Sequence, residues 1–280
     1  MLRIVTDGAG DFPPDWLEVF DFQVIPINIH FGDKIYLQGV DLSDEDFYKI
    51  VDETGVIPKT AQPSPHQFIE FYRQIAKRGD TILSMHITGK LSGTYASAEM
   101  AARELEGEFK IIPFDSGNGS AGLAYMCREA REMERANFSL EKILERMDYI
   151  RRNIRIVLTL DSLDYARMSG RVQAIQAALA SLLNVKPIIE LQEGMLDIVG
   201  RVRTRSKSIV HILEKLRAQF ADRLVNIAVV HARDLKVGEQ LLERVRGLFN
   251  YRHIIMTDLS IAVAANLGPG TVGLVAYPVE

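Results

Sequence analysis

Four short apolar runs rich in β-branched residues, Leu2 to Thr6, Thr81 to Ile87, Lys110 to Phe114 and Ile154 to Leu160, alternate with stretches whose apolar positions recur every three or four residues. A short, near-continuous apolar run reads as a strand buried on both faces, and the wider spacing as a helix packed along one side. Between Ser64 and Arg78 the residues Phe68, Phe71, Tyr72 and Ile75 keep the helical interval. Ser64 stands where an N-cap belongs, and Pro65 fits the first turn, where its missing N–H has no bond to break. Further helices are expected to begin at Gly93, near Ser120 and at Ser139. The alternation predicts an α/β fold whose N-terminal domain has a mostly parallel sheet flanked by helices.

Two stretches break this rhythm. Phe22 to Phe31 and Lys34 to Gly39 read as two strands joined by a tight Gly32-Asp33 turn, a hairpin insertion over about 22–60. From about residue 155 a second hairpin is expected, Pro187 to Gln192 with Met195 to Val202 around Glu193-Gly194. Strands at Leu224 to His231, His253 to Thr257 and Thr271 to Pro278 follow, separated by helices at Ser206 to Phe220 and Leu235 to Phe249. This predicts a second α/β domain with a mixed or antiparallel sheet, giving domains 1–155 and 156–280.

Composition narrows the function classes. The 280 residues carry 33 basic and 37 acidic side chains, a formal charge of −4, with 47% hydrophobic residues, which excludes intrinsic disorder. Basic residues are scattered, so nucleic acid is not an expected partner. The single Cys127 excludes an internal disulfide, and neither a signal peptide nor a spanning segment is expected, because Asp7 interrupts the opening apolar run and no apolar run approaches ~20 residues. The expected location is cytoplasmic.

In an open parallel sheet, ligands sit beyond the carboxyl ends of the strands. Those positions are rich in hydroxyls: Thr6-Asp7, Thr88-Gly89-Lys90-Leu91-Ser92-Gly93-Thr94 and Asp115-Ser116, with Thr60 in the Pro-bounded loop Pro58-Lys59-Thr60-Ala61-Gln62-Pro63. Caps and turns account for any one of them. Several at one sheet edge suit a small anion, held at the amino end of the helix that Gly93 opens.

Other chemistries fit less well. Gly89-Lys90-Leu91-Ser92-Gly93 resembles a nucleophile elbow with the serine displaced by one residue, and no motif ties a histidine to Ser92. Gly117 to Gly122 and Gly268 to Gly273 match the dinucleotide pattern Gly-x-Gly-x-x-Gly, but only the first follows a strand and precedes a helix. The Cys and His spacings of a metal site are missing. Arg201, Arg203, Arg205 and Lys207, and also Arg151, Arg152 and Arg155, read as solvated basic faces. Arg171 follows a glycine at the junction of the two expected domains, where it could close a site.

Taken in order, Ile4-Val5-Thr6-Asp7, Thr60-Ala61-Gln62-Pro63-Ser64, Lys90-Leu91-Ser92-Gly93-Thr94-Tyr95, Asp115-Ser116, Gly170-Arg171, Leu183-Asn184-Val185-Lys186-Pro187 and Gly268-Pro269-Gly270 resemble the DegV family of bacterial fatty-acid-binding proteins. The resemblance implies a two-domain α/β carrier with a long-chain fatty acid as ligand between the domains, no cofactor and no catalytic residue. It implies a carboxylate held by Thr60 and Ser92 within the turn of Gly93 and Thr94, with Ser116, Arg171 and Asn266 as further site residues. The partner it implies is a separate fatty acid kinase that performs the phosphoryl transfer, along with transient membrane contact. This chain departs from the family pattern at Ala61, at Ser169-Gly170 and at Asn266, where a His often stands; Asn donates a hydrogen bond but does not titrate near neutral pH. The alternative is a serine hydrolase or acyltransferase using Ser92.

Overall fold

In the computed structural model, which describes residues 1–172 and 185–280, two units form: Met1–Arg152 with Ser260–Ala262, and Asn153–Leu259 with Val263–Glu280. Leu183 and Asn184, quoted above, lie outside the described residues.

The first unit runs β1 (Leu2–Asp7), α1 (Trp16–Val19), β2 (Phe22–Ile25), β3 (Asn28–Phe31), β4 (Lys34–Leu37), α2 (Asp44–Thr54), β5 (Lys59–Ala61), α3 (Pro65–Ile75), β6 (Thr81–His86), α4 (Thr94–Glu104), β7 (Lys110–Asp115), α5 (Ser120–Arg135) and α6 (Leu140–Asn153). Four strands make a wholly parallel sheet in the order β2-β1-β6-β7. The expected strand from Phe22 to Phe31 is in fact two. Pro26 has no N–H to continue a ladder, so β2 stays beside β1 while β3 turns away to pair antiparallel with β4 and β5. The loop expected around Thr60 is therefore partly strand, with Thr60 opposite Ile29. α3 begins as its sequence dictates. Ser64 Oγ accepts from Gln67 N at 3.2 Å and Gln67 Oε1 accepts from Ser64 N at 2.8 Å, a reciprocal capping box. Its Phe68, Ile69 and Tyr72 pack on Val5, Ile25 and Ile82 of the sheet and on Ala98 and Ala101 of α4.

The second unit runs β8 (Arg155–Thr159), α7 (Asp164–Ser169), β9 (Lys186–Gln192), β10 (Met195–Val202), α8 (Arg205–Phe220), β11 (Val225–His231), α9 (Leu235–Leu248), β12 (Tyr251–Asp258), α10 (Ile261–Leu267) and β13 (Val272–Pro278). Its six strands lie in the order β10-β9-β8-β13-β11-β12, antiparallel except for β11 and β12. The run expected at Ile154 to Leu160 belongs here, between two antiparallel neighbours, and does not extend the parallel sheet. Glu193 and Gly194 both have positive φ, 48° and 81°, which suits the two-residue turn between β9 and β10. Ile212, Leu213 and Leu216 of α8 and Leu241 and Val245 of α9 join Ile227, Val229 and Leu274 in the core of this unit.

No helix among the described residues is long and apolar enough to cross a membrane. Cys127 lies on the buried face of α5, and burial pushes its thiol up to about 12, partly offset by the hydroxyl of Thr6. Only the thiolate reacts, so an aromatic disulfide reagent at pH 8 is expected to leave the native protein untouched and to label it fully in guanidinium. Rapid labelling of the native protein would contradict this burial.

Candidate functional site

In the parallel sheet the chain leaves β1 towards β2 on one side and places β6 and β7 on the other, so the order reverses between β1 and β6. The carboxyl ends of strands at such a reversal form a natural crevice. Two residues from these ends meet across it: Asp7 closes β1 and His86 closes β6, with Asp7 Oδ2 3.0 Å from His86 Nδ1.

The segment after β6 forms a tight turn into α4. Thr88 O accepts from Leu91 N and Ser92 N at 3.1 and 3.2 Å, Thr88 N donates to Asn118 O at 2.8 Å, and Gly89 N donates to Asp115 Oδ1 at 3.2 Å. Ser92 Oγ accepts from Thr94 N at 3.3 Å and lies 2.8 Å from Thr94 Oγ1. If Thr94 donates in that second contact, both lone pairs of Ser92 are engaged and its proton is available to a ligand. Gly93 N has no acceptor among the described residues, and Ser92 and Gly93 are half-buried while Thr94 is fully buried. The turn thus offers a hydroxyl donor and a backbone donor at the amino end of an 11-residue helix, where a negative charge is favoured.

The segment carrying Thr60 abuts this turn. A Cβ on Gly93 would stand 2.7 Å from Gln62 Nε2, so glycine permits the close approach. Asn28 Nδ2 secures that segment by donating to Gln62 O at 3.1 Å. Ser116 is placed differently: it is fully buried, donates its hydroxyl to Asn118 O at 2.9 Å and accepts from Asn118 N at 3.2 Å, which makes it a brace of the turn after β7. Arg171 and Asn266 belong to the second unit. The guanidinium of Arg171 donates to Ser169 O at 2.7 Å, just past Gly170, which ends α7 with φ 70°. Asn266 is half-buried near the end of α10. In the basic stretch after β10, Arg201, Arg203 and Lys207 are exposed, while Arg205 is held by Asp234 at 2.9 Å and by the Gly270 carbonyl.

The rival chemistries meet occupied groups. His86 Nε2 lies 2.7 Å from Ser84 Oγ, and Ser84 Oγ 2.8 Å from Tyr72 OH, all of them buried. The histidine nearest in sequence to Ser92 therefore serves a different serine, one that no substrate reaches. At Gly117 to Gly122, the amino end of α5 is filled from within: the Ser120 hydroxyl donates to Asp11, Ser120 N donates to Ala9 O at 2.8 Å, and the other Asp11 oxygen accepts from Ser260 N at 2.8 Å. A phosphate there would meet a carboxylate.

Asp7 and His86 are the positions that reading by motif missed as a pair. Asp7 had been legible as a strand end, but its partner lies 79 residues away.

A family profile described as "Uncharacterised protein, DegV family" matches residues 1–279. A DegV domain-containing protein of Deinococcus radiodurans is 32% identical over 286 residues, which cover 100% of this chain and 99% of that protein. Among solved structures, a fatty-acid-binding DegV family protein from Thermus thermophilus superposes with a TM-score of 0.88 at 31% identity, over 99% of each chain. A stearic-acid-binding protein from Eubacterium ventriosum superposes with a TM-score of 0.90 at 26% identity, over 99% of this chain and 98% of that one.

Proposed function

The chain belongs to the DegV family, and from that premise we propose that it binds a long-chain fatty acid and presents the carboxylate to a separate fatty acid kinase. The carboxylate is held at the amino end of α4 by the hydroxyls of Thr60 and Ser92, within the turn of Gly93 and Thr94. The observation that carries this reading is the pair of donors there, the Ser92 hydroxyl and Gly93 N, beside the segment that bears Thr60. Fatty-acid binding by the Thermus and Eubacterium proteins supports the choice of anion. Ser116 acts through Asn118, whose carbonyl accepts from both the Ser116 hydroxyl and Thr88 N. For Arg171 and Asn266 the resemblance to the family is the support.

The energetics divide the work between tail and head. Each buried methylene is worth about 0.8 kcal/mol, so a dozen supply roughly 10 kcal/mol, from which association and ordering subtract several. A carboxylate cannot be buried bare, and each charge-assisted hydrogen bond returns about 1.5 to 3 kcal/mol. The tail thus supplies affinity and the turn selects the acid. A carrier of this kind needs no base or nucleophile, so the protein alone is expected to form no acyl phosphate from ATP, and to do so only when a fatty acid kinase is added. Acyl phosphate formed by the protein alone would overturn the carrier reading.

Binding is checked by thermal unfolding of the delipidated protein with stearic acid. Ligand at 100 times its dissociation constant adds about 2.7 kcal/mol of stability, a rise in Tm of roughly 5 °C or more for a protein of this size. An unchanged Tm with stearic and shorter acids would contradict it.

A further inference from the structure

The four polar side chains Asp7, His86, Ser84 and Tyr72 form an unbroken chain inside the first unit, all of them buried. Buried polar groups are costly unless every one is satisfied. Here the chain has a direction. Asp7 Oδ1 accepts from Ala9 N at 2.9 Å, and Asp7 Oδ2 accepts from Ile87 N at 3.0 Å. A carboxylate only accepts, so His86 Nδ1 donates to it, and in the Nδ1–H tautomer Nε2 accepts from the Ser84 hydroxyl. Ser84 Oγ then accepts from Tyr72 OH, a phenol whose pKa burial raises, so that it keeps its proton, while the Ser84 bond pulls the other way. Phe68 holds the imidazole from the side, edge to face at 5.1 Å between centroids.

The two backbone donors that Asp7 receives begin the two loops at the sheet reversal. Ala9 N opens the connection after β1, and Ile87 N is the residue directly before the Thr88–Thr94 turn. We propose that Asp7, oriented by His86 and Ser84, is a positioning residue that fixes where the head-group turn begins. This rests on the fatty-acid reading for what the turn binds, though the hydrogen-bond direction stands apart from it. A carboxyl group that bridges two loops from the sheet below acts as outer support for the donors above, and such supports set ligand affinity without touching the ligand.

The test separates positioning from plain stability. In the unmodified protein, nitrogen-15 NMR of His86 is expected to show the proton on Nδ1; a proton on Nε2 would overturn the proposal. Asp7→Asn places an amide donor against one of the three donors and is expected to weaken stearic acid binding on the order of tenfold. Leu216→Ala, in the core of the second unit, serves as the destabilised control and is expected to leave affinity within about twofold. His86→Asn keeps a donor where Nδ1 stands and is expected to retain most of the affinity that His86→Leu loses. Equal affinity of Asp7→Asn and the unmodified protein, or an equal loss in the control, would overturn it. Failure of the unmodified protein to bind stearic acid sinks the fatty-acid reading instead, and is seen before any substitution is made.

Discussion

Replacing Thr60 by Val and Ser92 by Ala together is expected to weaken stearic acid binding by roughly two to four orders of magnitude. Each hydroxyl lost removes a charge-assisted bond worth about 1.5 to 3 kcal/mol, and 1.4 kcal/mol is a factor of ten. The loss is large because the buried tail keeps the carboxylate at the turn, where water replaces the missing donors only in part. The fold is expected to survive. Thr→Val keeps the β-branched shape that β5 favours, and Ser92→Ala removes a cap-like bond to Thr94 N, a cost of about 1 kcal/mol. Calorimetric titration of the double variant and both single variants, with far-ultraviolet circular dichroism as the control, checks this. Unchanged affinity in a folded double variant would move the head group away from α4.

The largest effect on stability is expected at Gly273. This residue lies in β13 opposite Leu158 of β8 and Val230 of β11, at the centre of the six-stranded sheet. A Cβ there would stand 2.1 Å from a methyl of Leu158 and 2.8 Å from the carbonyl oxygen of Val157. A leucine can change rotamer, but a backbone oxygen inside a sheet cannot retreat without breaking register. Gly273→Val is expected to destabilise the protein by about 3 kcal/mol or more, at the upper end of overpacking costs. Urea unfolding would show a lower midpoint at unchanged slope. Gly247, late in α9, gives the contrast: nothing lies within 4 Å of its added Cβ, so Gly247→Ala is expected to stabilise by roughly 0.5 to 1 kcal/mol through helix propensity. A neutral Gly273→Val would contradict the close packing of β13 on β8.

Periodicity and caps carried most of the fold because they are local signals. The strands β1 and β6 are buried on both sides and read as apolar runs, β7 keeps an apolar run although it lies half-buried at the sheet edge, and Ser64-Pro65 with Gln67 marks the start of α3 within four residues. The region 22–60 is less regular, because its hairpin around Gly32-Asp33 is flanked by two breaks, each with a local cue. Pro26 divides the apolar run, and Ser43 with Asp44, Glu45 and Asp46, followed by Phe47, Ile50 and Val51 and closed by Gly55, spells out α2. α1 is four residues long, too short for any helical period to appear.

The site divides in the same way. The Ser92-Gly93-Thr94 turn announces itself through its glycine and hydroxyls at a strand-to-helix junction. The pairing of Asp7 with His86 depends on β1 and β6 lying side by side, which follows from sheet order and leaves no trace at either position. Ser116 shows the opposite case. It shares the hydroxyl chemistry of Ser92 at an equivalent strand end, but its proton is already committed to Asn118 O, and only the three-dimensional arrangement distinguishes the two.

The central claim is that this chain carries a long-chain fatty acid, and the most direct measurement is organic extraction of the purified, unheated protein followed by mass spectrometry. The account predicts saturated or monounsaturated long-chain acids recovered near one equivalent per chain, or uptake of added stearic acid to that level after delipidation. An extract without acyl chains, together with no uptake of added fatty acid by the folded protein, would contradict it.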